Sequence, residues 1–292
     1  MKLRRLEAAE VAALDRRAVD SATLIAAAEI VEAVKAGGER AVRRFAERFD
    51  GVASAGPLLI GREEINSALD QLPAGDRRLL TRTAARIDRF AAHQKASLTD
   101  LTLDIAGGRA GHHVEPVGRA GCYAPGGRYP LPSSVLMTAV TARVAGVESV
   151  VVASPRPTPV TLAAAAVAGA DAVLAVGGAH AIAALAFGFD GFDPCDVVAG
   201  PGNRWVTAAK QLVVGQVGID MLAGPSELVV LADDGADPAM VAADLLGQAE
   251  HDPEALPVLV TTSEVLASAV EAEIDDQFGD LPTQEVARAA LE

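Results

Sequence analysis

The chain has 292 residues, half of them hydrophobic and 22% charged, enough apolar material for one or two packed domains. Its 39 acidic against 25 basic residues give a net charge of −14, which repels phosphate backbones and argues against nucleic-acid binding as a main role. Two cysteines, Cys122 and Cys195, are too few for a disulfide framework and read as reduced thiols of a cytoplasmic protein.

The opening residues, MKLRRLEAAEVAALDRRAVD, carry acids throughout and do not read as a signal peptide. The first hundred residues then read as helical. Ala22 to Lys35 is predicted as a helix with Ser21 as N-cap and Gly37-Gly38 as its stop. Further helices are predicted for Glu39 to Phe49, Arg62 to Leu72 and about Asp76 to Lys95. Leu101 to Ile105 and His112 to Pro116, flanking Ala106-Gly107-Gly108-Arg109, read as a β-hairpin.

From Ala120 the pattern alternates. Strands are predicted at Ala120 to Tyr123, Ser149 to Ala153, Ala172 to Val176 and Asp196 to Ala199. Helices are predicted between and after them, at Ser133 to Val144, Val160 to Val167, Ala179 to Phe187 and Arg204 to Val214. This rhythm argues for βαβ units and a largely parallel sheet. A further α/β section has strands Glu227 to Ala232 and Pro257 to Thr261, with helices Pro238 to His251 and Glu264 to Phe278. A last helical pattern covers Thr283 to Glu292. The apolar run from Thr161 to Phe189 is long enough for a membrane span, but Asp171 and Gly177-Gly178 interrupt it, so buried soluble elements are expected.

The helix DPAMVAADLLGQAEHD carries the most chemical information. Asp237 can cap it, Pro238 fits its first turn, and Val241, Ala242, Leu245, Leu246 and Ala249 make one apolar arc. Asp244, Gln248 and His251 share an arc of roughly 60° beside it. Gln248 and His251, at i and i+3, can converge on one ion; a polar edge facing water explains the same spacing. Glu250 points about 100° away from His251, so the two do not form a dyad.

Three glycine-rich turns, Tyr123-Ala124-Pro125-Gly126-Gly127, Val176-Gly177-Gly178 and Gly200-Pro201-Gly202-Asn203, fall where strands end and helices begin. Backbone N–H groups there favour anionic groups, although βα turns need glycine in any case. None forms a G-x-G-x-x-G fingerprint. Ser226 can bind a substrate group or stabilise its own turn. Cys122 reads as a small buried hydrophobe rather than a nucleophile. His93, His112 and His113 read as surface residues, and Trp205 as packing its helix onto the sheet.

Five segments, GCYAPGGRYPLPSSVLM (121–137), VGGAHAIAALAFG (176–188), GPGNRWVTAAK (200–210), IDMLAGPSELVVLAD (219–233) and DLLGQAEHDP (244–253), together resemble the histidinol dehydrogenase family and occur in family order. The resemblance implies an α/β protein of two incomplete Rossmann-like domains preceded by N-terminal helices. Residues 1–118 would start domain 1, residues 119–224 would form an inserted domain 2, and residues 225–292 would continue domain 1. It further implies a zinc ion in each subunit, NAD, L-histidinol as substrate, and a homodimer. By family match, Gln248 and His251 are zinc ligands that also contact substrate, and Ser226 is a substrate-binding serine. Tyr123 and Asn203 match NAD-contacting positions. His180 joins them where the family usually has glutamine; imidazole can replace an amide donor but gains charge near about pH 6.5.

The implied reaction is the four-electron oxidation of L-histidinol to L-histidine through histidinal. In the family, the Glu-His acid/base pair and two further zinc ligands, an Asp and a His, lie beyond the position matching Glu292. The expectation is therefore a C-terminally truncated chain with no catalytic residue of its own, inactive alone. The alternatives are a non-catalytic NAD- or metal-binding remnant, or a relative oxidising another amino or sulfonated alcohol.

Overall fold

The structure, a computed structural model, describes residues 3–12, 18–51, 56–126, 130–223 and 226–291. It divides into two compact units, one of Val19–Leu222 and one of Met1–Ala18 with Ala223–Glu292.

The larger unit begins with helix α2 (Ser21–Phe45), which follows a short helix α1 (Ala8–Ala12) of the smaller unit. The N-cap of α2 is Asp20, one residue ahead of the predicted Ser21: its carboxylate accepts from the Thr23 N–H at 2.8 Å and the Thr23 hydroxyl at 2.5 Å. Gly37-Gly38 kinks the helix rather than ending it, since only Gly38 leaves helical dihedrals (φ 51°, ψ −137°) and glycine tolerates that departure. The chain then makes a π-helical turn, Ala46–Asp50, which the sequence pattern did not indicate.

Strand β1 (Leu59–Gly61), helices α3 (Arg62–Gln71) and α4 (Ala74–Ala96), and a hairpin of β2 (Leu101–Ile105) and β3 (Gly108–His112) follow. The hairpin is tighter than predicted, with Ile105 opposite Gly108. Next come β4 (Arg119–Tyr123), α5 (Pro132–Ala145), β5 (Ser149–Ala153), α6 (Pro159–Val167), β6 (Ala172–Leu174), α7 (Gly178–Phe187), β7 (Val197–Ala199), α8 (Arg204–Val213) and β8 (Gly218–Ile219). The sheet order is β1-β6-β5-β4-β7-β8. All its pairings are parallel except β1 with β6.

Counted from β4, the parallel strands run 3-2-1-4-5, the doubly wound order in which strand succession reverses between β4 and β7. Alternate side chains enter opposite layers. Val151, Ala153 and Leu174 face the core shared with α2, α7 and α8. Val150, Val152 and Val173 face the core shared with α3, α4, α5 and α6. The long apolar run is thus α6, β6 and α7, with Ala179 to Ala186 wholly buried. No described helix is long and apolar enough to cross a membrane. The helices of residues 21–96 lie in the same compact unit as this sheet; α3 packs on α6, and α4 on α5.

The smaller unit carries β9 (Glu227–Leu231), α9 (Pro238–Ala249), β10 (Leu256–Val260), α10 (Glu264–Phe278) and α11 (Gln284–Leu291). β9 and β10 are parallel, joined through α9 as one βαβ unit. Asp237 caps α9 by accepting the Ala239 N–H at 2.9 Å. The predicted apolar arc of α9 is buried against Leu266, Val270, Ile274 and Phe278 of α10. α9 stops at Ala249, two residues short of the predicted His251, because the His251 N–H turns onto the Gln248 carbonyl at 3.2 Å, an i→i−3 bond, instead of continuing the i→i−4 ladder.

Candidate functional site

In a doubly wound sheet, ligands bind outside the carboxyl ends of the strands where the order reverses. Here that place lies between Tyr123, the last residue of β4, and Gly200, which follows β7. Two of the three positions matched to NAD contacts, Tyr123 and Asn203, therefore border the switch point. His180 lies further away, in the first turn of α7 after β6, which is two strands out from β4.

Their side chains are committed to the protein itself. The Tyr123 ring is 3% exposed, and its hydroxyl accepts the Gly178 N–H at 3.1 Å. Burial pushes its phenol up to about 12, against the weaker downward pull of that N–H, so it is a neutral hydrogen-bonding group. His180 is 1% exposed; its Nε2 lies 2.8 Å from Asp50 Oδ2, and the Phe45 and Phe49 rings flank it at 6.1 Å. The same Asp50 oxygen accepts the Gly177 N–H at 3.0 Å. Its imidazole is thus an interior group, buried because α7 is covered on that side by α2 and the π turn, and not one poised at the surface for a cofactor. Asn203 is exposed and caps α8, its Oδ1 accepting from Trp205 N at 3.1 Å and Val206 N at 3.3 Å.

These bonds revise the reading of the glycine turns. At α7 the Gly177 and Gly178 N–H groups are taken by Asp50 and Tyr123, and at α8 two N–H groups are taken by Asn203, so each helix start is already bound in part from within. The glycines answer to packing. A Cβ on Gly200, whose φ is +127°, would lie 2.0 Å from the Tyr123 carbonyl oxygen, and one on Gly177 would lie 2.7 Å from the Pro155 ring. The third turn retains Pro125 and Gly126; Gly127 lies outside the described residues.

A charge pair that the sequence reading missed, of a buried lysine and a partly exposed aspartate, sits under the switch-point loop. Lys210 of α8 is 3% exposed; its Nζ donates to the Gly200 carbonyl at 2.5 Å and to Asp220 Oδ1 at 2.5 Å. Asp220 Oδ2 accepts the Gly200 N–H at 2.8 Å. Nothing in the local pattern marks Lys210, because a lysine in a helix ordinarily reads as solvated.

In the smaller unit, Ser226, Gln248 and His251 come together at the end of α9. The Ser226 carbonyl accepts the Leu256 N–H at 3.1 Å and the Gln248 side-chain amide at 3.3 Å. With Nε2 so engaged, the amide oxygen is the atom left to meet a cation, the orientation a metal-binding glutamine needs. His251 is exposed in the turn beyond α9, its N–H closing on the Gln248 carbonyl at 3.2 Å, so the two stay one turn apart. Glu250 turns elsewhere, accepting the Thr283 hydroxyl at 2.8 Å. Among the described residues no three His, Cys, Asp or Glu side chains cluster as a metal site. Gln248 and His251 by themselves fall short of a catalytic zinc site, which takes three protein ligands and an exchangeable position.

The remaining candidates behave as structural residues. Burial pushes Cys122 up to about 12 and Cys195 to about 11, which keeps both as inert thiols. His93, His112 and His113 are exposed, and Trp205 packs against the core on the α8 side.

The sheet order, with its reversal between β4 and β7, and the second βαβ unit define a doubly wound α/β protein of the Rossmann-like class. The histidinol dehydrogenase family model matches residues 14–292, nearly the whole chain rather than its middle alone. The chain is 48% identical over 268 residues to histidinol dehydrogenase of Parasynechococcus marenigrum, covering 90% of itself and 61% of that protein. It is 48% identical over 267 residues to that of Haloarcula marismortui, covering 90% of itself and 62% of the relative. The crystal structure of histidinol dehydrogenase from Elizabethkingia anophelis superposes with a TM-score of 0.83 at 32% identity, over 95% of this chain and 65% of that one. The chain belongs to the histidinol dehydrogenase family. It spans less than two thirds of the length of these relatives.

Proposed function

We propose that this chain carries the dinucleotide-binding part, and part of the zinc- and substrate-binding site, of an NAD-linked oxidoreductase that converts L-histidinol to L-histidine through histidinal. The observation that carries the reading is the Gln248–Ser226 hydrogen bond. It joins two positions matched to the family's metal and substrate contacts and leaves the glutamine oxygen for a cation. When bound, NAD accepts the hydride at each oxidation and zinc holds the substrate's amine and imidazole in place.

The residues of this chain bind and orient. Gln248 and His251 supply two zinc donors, and the Ser226 hydroxyl offers a hydrogen bond to the substrate. Asn203 and Tyr123 border the switch-point crevice for the dinucleotide, and His180 supports the α7 turn from within through Asp50. Proton removal at each oxidation requires a general base, a role we assign to no residue of this chain. The assembly proposed is a homodimer in the cytoplasm, in keeping with two buried, unpaired thiols.

The test is to mix the 292-residue polypeptide with zinc, NAD and histidinol and to follow NADH absorbance and zinc uptake. Expected are no NADH above background and weak zinc binding that His251→Ala abolishes, since two side-chain donors chelate poorly. Clear zinc-dependent turnover would overturn the assignment of the base outside these residues. Tight stoichiometric zinc retained in His251→Ala would overturn the ligand assignment.

A further inference from the structure

Gly200 follows the carboxyl end of β7, and a Cβ on it would lie 2.0 Å from the Tyr123 carbonyl oxygen, so no side chain fits. Both of its backbone polar groups are bound by one ion pair: the N–H by Asp220 and the carbonyl by Lys210, with the two charged groups bonded to each other. The partners come from different elements, Lys210 from the last turn of α8 and Asp220 from the residue after β8. A buried lysine is costly unless its charge and all its donors are engaged, and an apolar residue of similar volume would serve packing as well or better. A side chain of this kind under a loop that could otherwise bond to water points to a need to hold that loop in one conformation. The loop runs from Gly200 to Asn203 and borders the point where strand order reverses between β4 and β7.

We infer that Lys210 and Asp220 are positioning residues of the dinucleotide site: the pair clamps Gly200 and so sets the geometry of the loop that presents Asn203. The inference rests on the NAD reading for its functional consequence but not for the clamp itself. Neither residue is matched to a cofactor contact, and Lys210 is too deeply buried to reach a ligand; both act through Gly200.

The chain's single tryptophan, Trp205, stands two residues beyond Asn203 and gives a local signal. The experiment compares the 292-residue protein with Lys210→Met, Asp220→Asn, the double variant and Lys210→Arg. Trp205 emission and anisotropy are measured without ligand, far-UV circular dichroism monitors folding, and calorimetry measures NAD affinity. Expected for each charge-removing variant are native circular dichroism, red-shifted and more mobile Trp205 emission, and about tenfold weaker NAD binding. The double variant should lose no more than the worse single one, because both act on one residue. Lys210→Arg, which keeps charge and donors, should restore most of the affinity. Folded variants with unchanged Trp205 emission would overturn the clamp, as would full additivity in the double variant. If Lys210→Met does not fold, Asp220→Asn at the partly exposed partner and Lys210→Arg decide by the same criteria. A wild-type chain that gives no heat with NAD overturns the dinucleotide reading, and the Trp205 signal alone then decides the clamp.

Discussion

His180 is the most informative place to perturb the larger unit. Its ring lies wholly inside, with Nε2 on Asp50 Oδ2, an oxygen that also accepts the Gly177 N–H. His180→Leu keeps most of the buried volume and removes the donor, leaving a buried carboxylate with one partner. Leaving a buried acceptor without one of its hydrogen-bond donors costs about 1–3 kcal/mol, which lowers the melting temperature of a unit of this size by several degrees. His180→Gln retains an N–H donor in a side chain of comparable bulk and should cost no more than about 1.5 kcal/mol. Urea unfolding followed by Trp205 fluorescence reads this unit alone, since the only tryptophan lies within it. If the leucine and glutamine variants unfold within about 0.5 kcal/mol of each other, Asp50 does not depend on His180 and the argument fails.

Asp171 accepts the Val150 N–H at 2.8 Å and Arg143 at 2.6 Å, and pairs with Arg62. Burial alone would raise its carboxyl, but the Val150 N–H and Arg143 outweigh that and hold it below the usual range. Its contribution is therefore complete above its unfolded pKa of about 3.9 and is lost as pH falls through the lower folded value. Asp171→Ala should cost about 2 kcal/mol at pH 7 and flatten the acid limb of the stability curve; an unchanged acid limb would refute this. Cys122 and Cys195, pushed up to about 12 and about 11 by burial, should resist a thiol reagent at pH 8 and react only in urea, so prompt labelling of the native protein would contradict their placement. Gly200→Ala forces a Cβ against the Tyr123 carbonyl at a φ of +127° and should destabilise by at least about 3 kcal/mol; a variant melting with the wild type would show that β4 and β7 are less tightly apposed.

Near-neighbour chemistry was legible in the residues themselves. The alternating strands and helices from Ala120 onward, the Asp237-Pro238 start of α9 and the buried arc of α9 all follow from spacing within a few turns, because each depends on side chains close in sequence. Even there, the N-cap of α2 fell on Asp20 rather than Ser21, since two bonds to Thr23 decide between adjacent candidates. Gly37-Gly38 became a kink because burial of residues on both sides favours continuing the helix.

Tertiary structure alone decided where the polar interior lies. Asp50 and His180 are 130 residues apart, and the β1 pairing joins residues 59–61 to 172–174. Lys210 meets Asp220 only because the sheet sets α8 beside β8. The residue patterns nearby carry no trace of these partnerships, because a buried charge is stabilised by whatever the fold brings to it and not by its own neighbours in the chain. The same holds for the glycine turns, which composition marks as anion cradles and packing turns alike. Only the positions of Asp50, Tyr123 and Asn203 revealed that two of the helix starts already have two N–H groups each bound from within.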